Sequence, residues 1–143
     1  MLSPLLHCSV DATLVGKVRE KQDAQTARCA VLFVFSDNGG LKEAYRAYQL
    51  YKGTHNITSH RLPGLSQLNE DQLFFLSFAN VWCEAMTVNA LVAQLMTDVH
   101  APAMTRVNGV LQNFDVFRQA FSCPSSAFMS KPFDNKNIKC KLW

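Results

Sequence analysis

The sequence predicts a mainly α-helical domain. From Asp37 onward apolar residues recur at spacings of three and four, and residues suited to capping and stopping helices bracket those runs. A length of 143 residues with 48% hydrophobic and 17% charged side chains is enough for one globular unit with a core of its own, and nothing in the composition points to disorder.

Residues 1–36 read differently from 37–143. The first part sustains neither helical nor strand periodicity, and its strongest feature, "CAVLFVF", is a short apolar run that reads as a buried strand. "DNGGLKEAYRAYQLYKG" supplies cap and turn residues, then Leu41, Ala44, Tyr45, Tyr48 and Tyr51 on one helical stripe, with Gly53 as a stop. A polar loop and a Pro63-Gly64 turn follow. Asn69 can then cap a helix, with Gln72 completing a capping box. That helix, "EDQLFFLSFANVWC", is apolar nearly all round, which predicts burial in something larger than a small bundle. "VNALVAQLM" predicts a further helix ending near Asp98 and Pro102. "TRVNGVLQN" reads as extended, and "NFDVFRQAF" as a helix capped by Asn113. Met86, Met96 and Met104 read as core filling, and the turn-rich tail as anchored by Cys140.

The net charge of +3 is scattered rather than gathered on one face, so nucleic acid is excluded as a partner. No apolar run reaches the roughly 18–20 residues of a membrane helix, and "MLSPLLHCSV" has neither the basic start nor the long apolar middle of a secretory signal. The five cysteines are odd in number and lack CxxC spacing, which argues against a zinc knuckle. "HNITS" places a glycosylation sequon at Asn56.

One stretch concentrates chemistry. "TDVHAPAMTRV" holds Asp98, His100 and Arg106 and no other charged or titratable side chain. An Asp can fix the tautomer of a nearby His, the His can donate to a developing oxyanion, and an Arg can hold a peptide carbonyl with its planar fork. These are substrate and transition-state parts without a nucleophile. The spacing alone equally describes a helix end, a turn before Pro102 and a surface Arg.

Together "DNGGLKEAYRAYQ", "LPGLSQLNEDQLFFLSFANVWC", "TDVHAPAMTRVNGVLQN", "FRQAFSCP" and the closing "KCKLW" resemble, in order, the C-terminal end of the neprilysin and endothelin-converting-enzyme family of zinc metallopeptidases. The resemblance implies the C-terminal portion of a thermolysin-like, gluzincin catalytic domain over residues 37–143, in an ectoenzyme on the cell surface or secreted, acting on peptides. It implies zinc held by two His of an HExxH helix and the Glu of an ExxxD motif. Residue by residue, it gives His100 the role of stabilising the tetrahedral intermediate, Asp98 that of its orienting partner, and Arg106 that of binding the substrate backbone. Val81 and Trp82 then line the pocket for the residue after the cut, and Asp37 steadies a zinc-binding His.

The departures from the family pattern lie at the metal. Phe33 stands four residues before Asp37, where the family has its zinc-binding Glu, and His7, His55, His60 and His100 include no HExxH pair. The chain is therefore expected to hold no zinc and to be inactive alone, as an incomplete domain whose first 36 residues do not match the family. The alternative is a non-catalytic peptide-binding or interaction module. The resemblance also implies that Cys83, Cys123 and Cys140 pair with partners upstream of the matching part, with Cys8 and Cys29 read as chance occupants rather than replacements.

Overall fold

The computed structural model describes residues 24–55 and 61–131, with side chains from Ser36 onward. Five α-helices follow in order: α1 (Ala24–Thr54), α2 (Glu70–Val81), α3 (Val88–Thr97), α4 (Ala103–Asn113) and α5 (Asp115–Ala120), with a 3-10 turn at Phe128–Ser130. No strand occurs among the described residues, and the helical class read from the sequence is the one found.

Two extended readings are corrected to helix. "CAVLFVF" lies inside α1, which runs without a break through Asp37-Asn38-Gly39-Gly40 instead of starting there. "TRVNGVLQN" is the body of α4. Its buried Ala103, Val107, Val110 and Leu111 follow the i, i+4, i+7, i+8 spacing of a helix face, a pattern masked by Gly109 and by β-branched Thr105 and Val107. The cap expected at Asn113 is also corrected: Asn113 is the buried last residue of α4, and Phe114 precedes α5 with no side-chain cap bond.

Other local readings hold. Pro63-Gly64 forms a turn closed by Leu65 N–H donating to the Leu62 carbonyl at 3.0 Å, with Gly64 at φ +79°, a conformation glycine adopts without steric cost. At the start of α2, Gln72 N–H donates to Asn69 Oδ1 at 2.8 Å while Asn69 N–H donates to Gln72 Oε1 at 2.9 Å, a reciprocal capping box. Thr87 caps α3.

α4 is the centre of the packing. It lies against α1, α5 and the 3-10 turn, while α5 also meets α2. Leu41, Phe75, Ala79, Val107, Val110, Leu111, Phe117, Cys123 and Met129 make the core. Rings knit the helices together: Tyr45 of α1 stacks on Phe75 of α2 at 5.7 Å between centroids, and Phe75 meets Phe117 of α5 edge to face at 5.5 Å. Lys52 Nζ lies 2.6 Å from Glu70, and Gln49 donates to Asp71 at 2.9 Å, so polar contacts tie the end of α1 to the start of α2.

Burial is partial in α2, as expected of a helix that belongs in something larger, and fails at two methionines. α2 buries only Phe75 and Ala79 fully, although its apolar surface extends nearly all round. Met96 is 80% exposed and Met86 is exposed as well, so neither fills the core; Met104 is half-buried.

Candidate functional site

Asp98 ends α3 as its C-cap residue, and its backbone turns extended at that point. The turn lets one carboxylate oxygen serve His100 twice. Asp98 Oδ1 accepts the His100 backbone N–H at 2.9 Å and lies 2.8 Å from His100 Nδ1. In the neutral ring this contact assigns the proton to Nδ1. The same contacts hold the Asp98 carboxyl below the usual carboxylate range, the His100 backbone N–H first and the ring second. Both side chains are exposed.

Arg106 stands in the second turn of α4, carried there by the rigid Ala101-Pro102-Ala103 entry, all three residues being buried. Its Nε donates to Asp37 Oδ2 and one terminal nitrogen to Asp37 Oδ1, both at 2.6 Å. This is a bidentate fork, and the pair is largely screened from solvent, the side chains being 15% and 12% exposed. The guanidinium carbon also lies 3.8 Å from the centroid of the Trp82 ring, a cation–π contact. Asp37 raises the affinity of the guanidinium for its proton, so Arg106 is charged throughout the working pH range. Three elements converge here: Asp37 from the middle of α1, Trp82 from the end of α2, and Arg106 from α4.

The residues singled out in the sequence thus fall into two clusters. Asp98 meets His100, and Arg106 meets Asp37 and Trp82. Val81 is 77% exposed beside Trp82. Cys83 is an exposed free thiol, while Cys123 is buried and disulfide-bonded. Its partner is a cysteine whose side chain lies outside the described residues. Asn56 and Cys140 lie outside the described residues. Sequence reasoning missed the direct pairing of Asp37 with Arg106, which no local pattern signals across 69 positions.

Zinc can be tested against the donor set present. No group of three His, Cys, Asp or Glu side chains that could hold a metal ion occurs among the described residues. Asp37 is committed to Arg106, and position 33 is Phe. The described side chains around Asp98, His100 and Arg106 do not make a three-ligand zinc site by themselves.

The model of "Peptidase family M13" matches residues 17–137. Human neprilysin is 45% identical over 108 residues, covering 76% of this chain and 14% of its own length. Neprilysin-11 of Caenorhabditis elegans is 43% identical over the same number of residues, 76% of this chain and 12% of its own. Human endothelin-converting enzyme 1 is 44% identical over 108 residues, again 76% of this chain and 13% of its own. The chain thus spans only 12–14% of the length of these relatives. Helical architecture, family match and identity above 40% over three-quarters of the sequence agree: the chain belongs to peptidase family M13.

Proposed function

We propose that this chain is the C-terminal part of the catalytic domain of a zinc-dependent metalloendopeptidase that cleaves peptides. It contributes the substrate side of the active site, and the zinc ligands and general base come from polypeptide beyond it. In this reading residues 37–143 carry the C-terminal family portion, and the family match reaching back to residue 17 leaves residues 1–16 outside it. The chain alone hydrolyses nothing. The single observation that carries the reading is the Asp98–His100 contact at 2.8 Å, set in a turn that leads directly into the helix bearing the clamped Arg106.

Each side chain then has a task that needs no metal of its own. Asp98 orients the His100 ring, which when protonated hydrogen-bonds an oxygen on which negative charge develops. Asp37 takes two of the five N–H donors of Arg106 and, with Trp82 against its face, fixes the plane of the guanidinium that receives the peptide backbone. Val81 and Trp82 supply the apolar wall for the residue after the cut. Zinc, held by ligands outside this chain, would supply polarisation of the peptide carbonyl and activation of the water. Asn56 is a glycosylation site, and Cys83, Cys123 and Cys140 are disulfide residues of an extracellular or secreted parent.

The test places the matching 108 residues of this chain in human neprilysin in place of its own and follows an internally quenched peptide. Hydrolysis is expected, with His100→Ala lowering kcat by about 10²–10³-fold while bound zinc is unchanged. A folded, zinc-loaded chimera that binds the peptide without cutting it would instead establish the chain as a non-catalytic binding module.

A further inference from the structure

α3 is the helix that the site does not account for. No charged residue occurs between Glu84 and Asp98, and none of the ten residues of α3 is buried. Val88, Val92 and Met96, four apart and so on one face, are 76%, 50% and 80% exposed, and Val99 continues the stripe past the end of the helix at 58%. Leu91, Gln94 and Leu95, half-buried, turn the neighbouring side of α3 toward the molecule. A helix of this length gains little stability from its own hydrogen bonds, so an uncharged outer face is paid for only if something covers it.

We propose that the Val88–Val92–Met96 stripe with Val99 is the docking face for the main body of the M13 catalytic domain, the polypeptide that relatives carry and that this chain does not span. The inference rests on the peptidase reading above. Three observations select this occupant. The chain spans 12–14% of its relatives, so most of the domain that would surround α3 is other polypeptide. A lipid surface is disfavoured because α3 has no Lys or Arg to meet headgroups. A second copy is disfavoured by size: the stripe is about 15 Å long and roughly 10 Å wide, on the order of 150 Å², against about 800 Å² per partner for a stable dimer. A small patch suffices when it is one of many contacts inside one domain. α3 also ends at Asp98, so whatever docks on the stripe is brought beside the Asp98–His100 pair.

The experiment co-expresses the full 143-residue chain, with Cys83→Ser to remove its exposed thiol, with human neprilysin lacking its 108 matching residues, and reads co-purification together with maleimide labelling resolved site by site by peptide mapping. Labelling of Val92→Cys and Met96→Cys is expected to fall at least tenfold in the complex relative to the chain alone, while Glu43→Cys on α1 stays reactive. Val92→Lys/Met96→Lys is expected to abolish co-purification and to leave the thermal transition of the isolated chain within a few degrees, because the face packs on nothing within it. Four results would each overturn the proposal: no co-purification of the wild-type chain, unchanged labelling, a large loss of thermal stability in the isolated lysine variant, or a homodimer that the lysines dissolve. His100→Ala separates the two readings. A protected, co-purifying wild-type complex without hydrolysis sinks the peptidase reading and leaves docking standing. Hydrolysis that depends on His100, with the thiol of the Val92→Cys variant still fully reactive, sinks docking alone.

Discussion

At the scale of single residues, two carboxylates do different work because their surroundings differ. Asp98 is exposed and acts through geometry, its Oδ1 meeting both the His100 backbone N–H and Nδ1. Its carboxyl pKa is depressed on folding, so the contact is intact above the ordinary Asp value of about 3.9 and is lost as pH falls through the lower, folded value. The His100 amide resonance followed by NMR from pH 6 to pH 2 is expected to move with a midpoint below about 3.9, and Asp98→Asn to remove that inflection; a midpoint at or above that value would contradict the assignment. Asp37 is screened from solvent and acts through charge. Arg106→Ala leaves it without its partner and strips the Trp82 ring of its cover, a loss expected at about 2–4 kcal/mol in urea unfolding, below the fully buried limit because both side chains keep some water. Arg106→Lys keeps the charge but neither the fork nor the stacked plane, and is expected to recover less than half of that loss. The first pair was legible in the sequence because its members are two residues apart. The second was not: nothing local to Asp37 or Arg106 reveals a partner 69 positions away, so both residues stand out without the bond between them.

At the scale of elements, tertiary contacts decide where local signals conflict. Asp37-Asn38-Gly39-Gly40 looks like a helix start, and two glycines in a helix interior cost about 1 kcal/mol each relative to Ala. α1 nevertheless runs through them, because Asp37 is held by Arg106 and Leu41, one turn on, is buried in the core. That account makes a specific prediction. A Cβ at Gly40 would meet nothing within 4 Å, so Gly40→Ala is expected to stabilise the chain by about 0.5–1 kcal/mol. If thermal unfolding shows a loss instead, the continuous helix is wrong there. At α2 the sequence and the structure agree on the capping box, and Asn69→Ala is expected to cost about 1 kcal/mol, with Asn69→Asp close to neutral. α4 reads as extended in the sequence for a physical reason: Thr105, Val107, Asn108 and Gly109 are poor helix formers, and packing against α1, α5 and the 3-10 turn overrides their preference.

At the scale of the molecule, the aromatic cluster and the exposed α3 stripe describe one imbalance. Helical class was legible from periodicity, but the share of apolar surface that the chain can bury was not, because periodicity marks which face seeks cover and not whether cover is present. α2 is apolar nearly all round yet buries only Phe75 and Ala79 fully, and Met96, chemically suited to a core, is 80% exposed. Core stability is therefore concentrated where α1, α2, α4 and α5 meet. Phe75 is fully buried there, with Tyr45, Phe74, Phe114 and Phe117 around it at centroid distances of 5.4–5.8 Å. Phe75→Ala is expected to cost about 3–5 kcal/mol, a large fraction of the roughly 5–15 kcal/mol available to an ordinary domain. With so much apolar surface uncovered, the isolated chain sits low in that range, so the variant should lose its cooperative thermal transition altogether. The same substitution in the neprilysin chimera, where α3 and the outer side of α2 gain neighbours, should lower the melting temperature and leave a transition. Calorimetry on the two proteins compares them directly: a cooperative transition retained by the isolated variant would show that the four-helix junction is not what holds this chain together.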